Sequence, residues 1–440
     1  MLRKFGLSTS PSIKSALSRC ASSLPSLEVE YPVAPSAKPS SLPVPKTTKT
    51  VLKNGLSLIS HDTGDKTACL SMVLNSGSRH ETITEYGASL LAQRLAFKTT
   101  QKRSAIRLNR DLHDAGVVTG CAAGRENIIY SAECPPDAAG IALQAIAETI
   151  HSPMLSKWEM NDIKEKYINA IDIPNFKRST RLMLSEAIHA AAFGPYSPLG
   201  HPLYTPCHID PESYAASWEK KISPKKMTLV GVGVSHEALL NFGDELFTDE
   251  KEGVPGMISS PFVGGENLVH LAGASNCCVA LVLESSPAGK DAATLTLLKH
   301  LLGIRLSSSM PGTEVASSSY ADAGFVALTA ECSAANSAKT LESVAKVLAK
   351  LAAAAPTSEE IKSAVKSAQI DLLEKSHGSA FKTAHFLAGE IRSASPGELS
   401  KVTGKALQEA CAKMVKSKIG LAGVGNMGHV PSLDKIKTML

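Results

Sequence analysis

The chain has 440 residues, 43% of them hydrophobic and 20% charged, with a formal net charge of +5. That length supports two or more domains with cores of their own. Most of the positive excess comes from Arg3, Lys4, Lys14 and Arg19, so the remainder is nearly neutral and offers no charge argument for nucleic acid.

The N-terminus is basic and rich in serine, with no acid before Glu28 and no apolar run long enough for a secretory signal. It reads as a mitochondrial transit segment over residues 1–20, ending just after Arg19. Residues 21–46 carry five prolines between Glu28 and Lys46 and read as an extended arm. No run of 18 apolar residues occurs, so no spanning helix is expected. The nine cysteines form no C-x-x-C pair. Neither a zinc knuckle nor a dithiol redox motif is indicated, and reduced, mostly buried thiols are expected.

Residues 47–247 form a first expected domain. Ala68 to Leu74 is an apolar strand, and Gly87 to Thr100, GASLLAQRLAFKTT, reads as a helix. Asn127 to Cys134 is a second strand, followed by a helix with Ile141, Ala145, Ile146 and Ile150 as its stripe. Helices over Ser156–Ile173 and Lys177–Phe193 are expected to break at Pro174. The closing strand is TLVGVGVSH at 228–236.

A charged, then Gly- and Pro-rich linker occupies 248–265, and 266–440 repeats the pattern. Asn276 to Val282 matches the first strand, and Phe325 to Cys332 matches the second. Leu341, Val344, Leu348 and Leu351 form the stripe, and GLAGVGNMGH at 420–429 closes the half. Helices are expected over Ser358–Lys375, Ala380–Arg392 and Pro396–Val415. Four matches in one order indicate an internal duplication and an α+β class.

Three strings imitate functional motifs. Gly423 to Gly428 spells G-x-G-x-x-G, but too few residues follow for a dinucleotide unit, and a strand end with a tight turn accounts for it. His80-Glu81 begins like H-E-x-x-H and ends on Thr84. His385 and Glu390 are five apart, about 140° around a helix, and do not converge.

The segment from Gly87 to Thr100 resembles the pitrilysin-type metallopeptidases, whose motif runs G-x-x-H-x-x-E-H-x-x-F-x-G-T. Gly87, Phe97 and Thr100 keep the frame. Leu90 replaces the first His, Gln93 the Glu, Arg94 the second His, and Thr99 the Gly. In that family two imidazoles one helical turn apart grip zinc and the Glu serves as base. Leu90 has no lone pair, Gln93 takes no proton near neutral pH, and Arg94 stays charged. The family's third ligand, a Glu about 76 residues on, would fall near Ala170, where no carboxylate is expected. The resemblance thus implies a clamshell of two tandem α+β rolls, non-catalytic, with no metal, cofactor or catalytic residue.

Within the family, an ordered set of strings is most similar to the core-protein-2 branch of the mitochondrial cytochrome bc complex. They include LKNGL at 52–56, NSGSRHE at 75–81, GRENIIYSAEC at 124–134, KMTLVGVGVSH at 226–236 and SYADAGF at 319–325. That branch implies a structural subunit of respiratory complex III, peripheral on the matrix side of the inner membrane. The implied partners are core protein 1, cytochrome b, cytochrome c1 and the Rieske protein, in a dimeric complex. The alternative is the non-catalytic α subunit of the mitochondrial processing peptidase, or one protein in both roles. That subunit carries a long glycine-rich loop in its second half, whereas Gly303 to Ser317 here reads as a serine-rich loop with two glycines.

Overall fold

The computed structural model describes residues 46–247, 258–289, 291–377, 379–388 and 396–440. The expected transit segment, all of the arm but Lys46, and residues 248–257 of the linker lie outside them.

The first half builds a six-stranded sheet. Its strands are β1 (Lys46–Val51), β2 (Ser57–Asp62), β3 (Ala68–Leu74), then, beyond helices α1 (Ala88–Leu95) and α2 (Ala105–Asp114), β4 (Val118–Ala123) and β5 (Ile128–Cys134). Helix α3 (Ala139–His151) follows, then α4 (Lys157–Ile163), a π-helical stretch Lys164–Asp172, and α5 (Ile173–Arg178). Helices α6 (Thr180–Phe193) and α7 (Pro211–Lys221) lead to strand β6 (Met227–Val232), and α8 (His236–Leu246) ends the half.

The second half repeats this with β7 (Glu266–His270), β8 (Asn276–Ser285), α9 (Ala292–Ser309), β9 (Thr313–Ser319) and β10 (Gly324–Ser333). Then come α10 (Ser337–Ala353), α11 (Ser358–His377), α12 (Ala380–Ala388), α13 (Pro396–Leu399), α14 (Gly404–Lys416), β11 (Ile419–Gly425) and α15 (Leu433–Lys437). The sheet orders are β1-β2-β6-β3-β5-β4 and β7-β11-β8-β10-β9. The parallel pair β2·β6 answers to β7·β11, and the antiparallel neighbours match likewise. The duplication read in the sequence is therefore a duplication of topology, two tandem α+β units.

Central strands in both halves are apolar at nearly every position because both faces are covered. In β8, Cys277, Val279, Leu281 and Leu283 face that half's own helices. Ala280 and Val282 face the other way, onto α6, which comes from the first half. Strand alternation thus divides the side chains of β8 between two cores. Gly420 shows how close α6 lies: a Cβ there would stand 3.2 Å from the Ala191 carbonyl oxygen. The exchange is reciprocal. Helix α12, from the second half, sets Ala384 and Leu387 against Ile59, Cys69, Val230 and Val232 of the first sheet.

Polar contacts lock this exchange. Arg79 is fully buried and donates to Glu126 (2.8 Å), to Asp322 (2.5 Å) and to the Ile258 carbonyl (2.9 Å). Asp322 also accepts from the Ser260 amide, and Glu126 from the Ala321 amide. On α6, His189 donates through Nδ1 to the Ser185 carbonyl, and Nε2 accepts from the Tyr320 hydroxyl at 2.6 Å. A buried charge is tolerable only when paired in this way.

Several local expectations need correction. Pro174 does not break a helix, because Lys157 to Arg178 runs continuously through the π-helical stretch. The Ile173 amide bonds to the Ile168 carbonyl, five residues back, and Pro174, which has no amide hydrogen, falls at the return to α geometry. The break comes at Ser179, whose hydroxyl caps α6. Ile141 is 41% exposed; Ala142, Leu143, Ala145, Ile146 and Ile150 form the buried face of α3. Gly303 to Ser317 is no loop: it completes α9, turns, and enters β9. The last expected helix is two, separated before Thr403, which caps α14 through its side chain.

Candidate functional site: the filled metal register

Helix α1, with Gly87 as its N-cap, is shorter than the sequence suggests. Gly87 has φ +83°, and a Cβ there would lie 2.7 Å from the Thr205 carbonyl oxygen, so only glycine fits. The Glu81 carboxylate caps the helix, accepting from the amides of Gly87 (2.9 Å) and Ser89 (2.6 Å). A carboxylate at a helix N-terminus satisfies orphan donors and meets the favourable end of the dipole. The resemblance of His80-Glu81 to a zinc motif is thus explained by capping. The helix stops at Leu95; Phe97 turns back with φ +56° and packs its ring edge-on to Tyr130, 6.2 Å away. Thr100 then bridges to Pro153.

The three positions that stand where the motif has His, Glu and His have separate tasks. Leu90 is buried in the first core beside Leu91. Gln93 accepts from the Ala123 amide at 3.1 Å, tying α1 to the end of β4. Arg94 reaches across to the π-helical stretch, where Nε donates to Asp172 Oδ2 at 2.8 Å and Nη2 donates to Oδ1. Asp172 is nearly buried, while the guanidinium is about one-third exposed (36%). The hydrogen bonds to Asp172 raise the Arg94 pKa further.

Asp172 overturns one expectation. A carboxylate does stand opposite the degenerate motif, two residues beyond the position reached by counting from Arg94. Simple spacing misses it because the π-helical stretch widens the turn and carries Asp172 round to face α1. Lys98 lies 5.6 Å from the centroid of the Tyr167 ring, and Thr99 donates to Glu159 at 3.1 Å, so the rest of the motif's tail also binds to this helical arm.

A divalent cation does not fit these residues. Zinc needs lone pairs from three protein ligands and an open fourth position. Leu90 gives hydrocarbon, Arg94 gives donors only, and both oxygens of Asp172 are held by one guanidinium. The positive charge that the family's site takes from a metal is here covalently attached. Among the described residues, no group of three or more His, Cys, Asp and Glu side chains gathers as a metal centre.

Two consecutive family models match this chain. Residues 57–207 match Insulinase (Peptidase family M16), and 208–368 match the Peptidase M16 inactive domain. The mitochondrial-processing peptidase subunit alpha-2 of Dictyostelium discoideum is 26% identical over 425 residues, 89% of this chain and 94% of that protein. Subunit 2 of the mitochondrial cytochrome b-c1 complex from Mus musculus is 25% identical over 453 residues, 93% of this chain and 97% of that protein. A probable processing-peptidase subunit alpha-1 from Arabidopsis thaliana is 28% identical over 297 residues, 66% of this chain, and the match spans 57% of that relative's length. With both models in tandem on a duplicated fold, the chain belongs to peptidase family M16.

Proposed function

We propose that this protein is a non-catalytic structural subunit of respiratory complex III, of the core-protein-2 type, peripheral on the matrix face of the mitochondrial inner membrane. The observation that supports the reading is the Arg94–Asp172 pair, a side-chain cation on the helix that resembles the family's zinc-binding segment. A helix built this way keeps its packing role and gives up Lewis-acid chemistry and the general base together. The cytochrome b-c1 relative aligns along nearly the whole chain, which supports the assignment of the role to both halves. Among the described residues, no helix is long and apolar enough to cross a membrane, so attachment would run through partner subunits. Core protein 1 is the expected direct partner, with cytochrome b, cytochrome c1 and the Rieske protein in the same dimeric assembly. Obligate interfaces of that kind commonly bury more than about 2,000 Å².

The second reading, an α subunit of the processing peptidase, is favoured by the full-length match to the Dictyostelium relative. Against it stands the path of residues 303–319, which pass from helix to strand through a short turn and offer no long flexible loop. Native electrophoresis of solubilised mitochondrial membranes with mass spectrometry separates the two. Migration with cytochrome b in one large assembly supports the complex III role. A soluble heterodimer with a catalytic peptidase subunit supports the other.

A further inference from the structure

The duplicated topology gives the metal register a second copy. Helix α9 lies against β9 and α11 in the second half as α1 lies against β4 and the π-helical stretch in the first. Thr296, Lys299 and His300 on α9 repeat the i, i+3, i+4 spacing of Leu90, Gln93 and Arg94 on α1. A carboxylate again faces the helix: Asp371 on α11 sets its Oδ2 3.6 Å from His300 Nε2.

The second copy is not closed as the first is. Asp371 turns to Lys375, whose ammonium lies 2.8 Å away. His300 bonds through Nδ1 to Ser367, and burial followed by the Lys299 charge keeps its pKa low, so it adds no cation at neutral pH. Lys299 makes no hydrogen bond and no ion pair within 4 Å among the described residues. Burial first, and then the charge of Lys375, hold its ammonium below the usual lysine range. Two ammonium groups thus stand near one carboxylate, which pairs with Lys375 alone. They line a cavity of about 300 Å³ with Ser317 and Ser319 of β9 and the ring of His385. Nε2 of His385 is buried without a partner.

We propose that this cavity binds a small oxyanion, a phosphate or a carboxylate, between Lys299 and Lys375. The first half pairs its cation with its own carboxylate, whereas in the second half Asp371 pairs with Lys375 and leaves the Lys299 charge for a ligand to meet. The space accommodates a small anion, the lysines supply charge-assisted donors, and the serine hydroxyls and His385 supply directional ones. This assigns a ligand to the second half and goes beyond the assembly role.

The test is calorimetric titration of the full-length protein with inorganic phosphate and, separately, with acetate, at constant ionic strength. Saturable one-site binding of either anion is expected, and which anion binds identifies its class. Lys299→Met should weaken it about tenfold or more, the loss of one charge-assisted hydrogen bond. Lys299→Arg keeps the charge and should retain most of it, with circular dichroism confirming that both variants fold. No saturable binding of either anion, or equal affinity in the wild type and Lys299→Met, would overturn the proposal.

Discussion

Arg94 and Asp172 meet side-on, with Nε and Nη2 of one guanidinium each bound to a different oxygen of one carboxylate. The pair joins helix α1 to the π-helical stretch, and so takes over the bridging that a metal with ligands on both elements would perform. Arg94→Ala would leave the nearly buried Asp172 carboxylate without its partner. The expected cost is about 1–2 kcal/mol, the low end for a charged hydrogen bond because the guanidinium is partly exposed. Urea unfolding monitored by circular dichroism measures it.

The reverse change should restore affinity for zinc. The combined substitutions Leu90→His, Gln93→Glu and Arg94→His would place two imidazoles one turn apart and release Asp172 as a third ligand. Zinc retained by this variant against a weak chelator, and lost on adding Asp172→Asn, is the expected outcome.

The arginine between the halves carries more. Arg79 is fully buried among Glu126, Asp322 and the Ile258 carbonyl. Arg79→Met would take the shared cation from two carboxylates, at a cost of about 3–5 kcal/mol. Because α6 and α12 are exchanged between the sheets, the loss should spread through both halves. Scanning calorimetry of the wild type should show one cooperative transition, and the variant should unfold earlier rather than in two steps.

Acid should weaken the same region. Burial pushes the Asp322 carboxyl up, but the Arg79 hydrogen bond and charge outweigh it and the net pKa is lowered. Its contribution is present above the unfolded value near 3.9 and is lost as pH falls through the folded one. Glu360, bound to Arg305 and the Thr357 amide, is lowered from 4.5 to about 2 and follows the same sign. His189 acts at higher pH. Burial, then the Arg125 charge, hold it neutral well below its ordinary value. Its contribution is therefore full above pH about 6.5 and declines as pH drops and the unfolded chain takes up the proton. Stability measured between pH 8 and 2 should fall first with the histidine and again below about pH 4 with the carboxylates, and His189→Phe should shrink the first step.

Much of the fold was legible because apolar periodicity encodes it. The paired strands at 68–74 and 276–285, and those at 128–134 and 324–333, appear where alternation and burial demand them. The helix exchange was not legible, since Ala384 and Ala191 have the same pattern whichever sheet they cover. At the site, the side chains of Leu90, Gln93 and Arg94 declare what they cannot ligate. Asp172 was hidden because it lies two residues beyond the counted position, at the end of a π-helical stretch whose wider turns the spacing rules for an α-helix do not anticipate. Arg79 was hidden because nothing local distinguishes a fully buried arginine from a surface one.

Zinc content of the purified full-length protein, measured by plasma mass spectrometry after exposure to zinc and exhaustive dialysis, tests the central claim most directly. The Arg94–Asp172 pair predicts far less than one equivalent per chain, unchanged by Asp172→Asn. One tightly held zinc per chain, lost in Asp172→Asn, would contradict it.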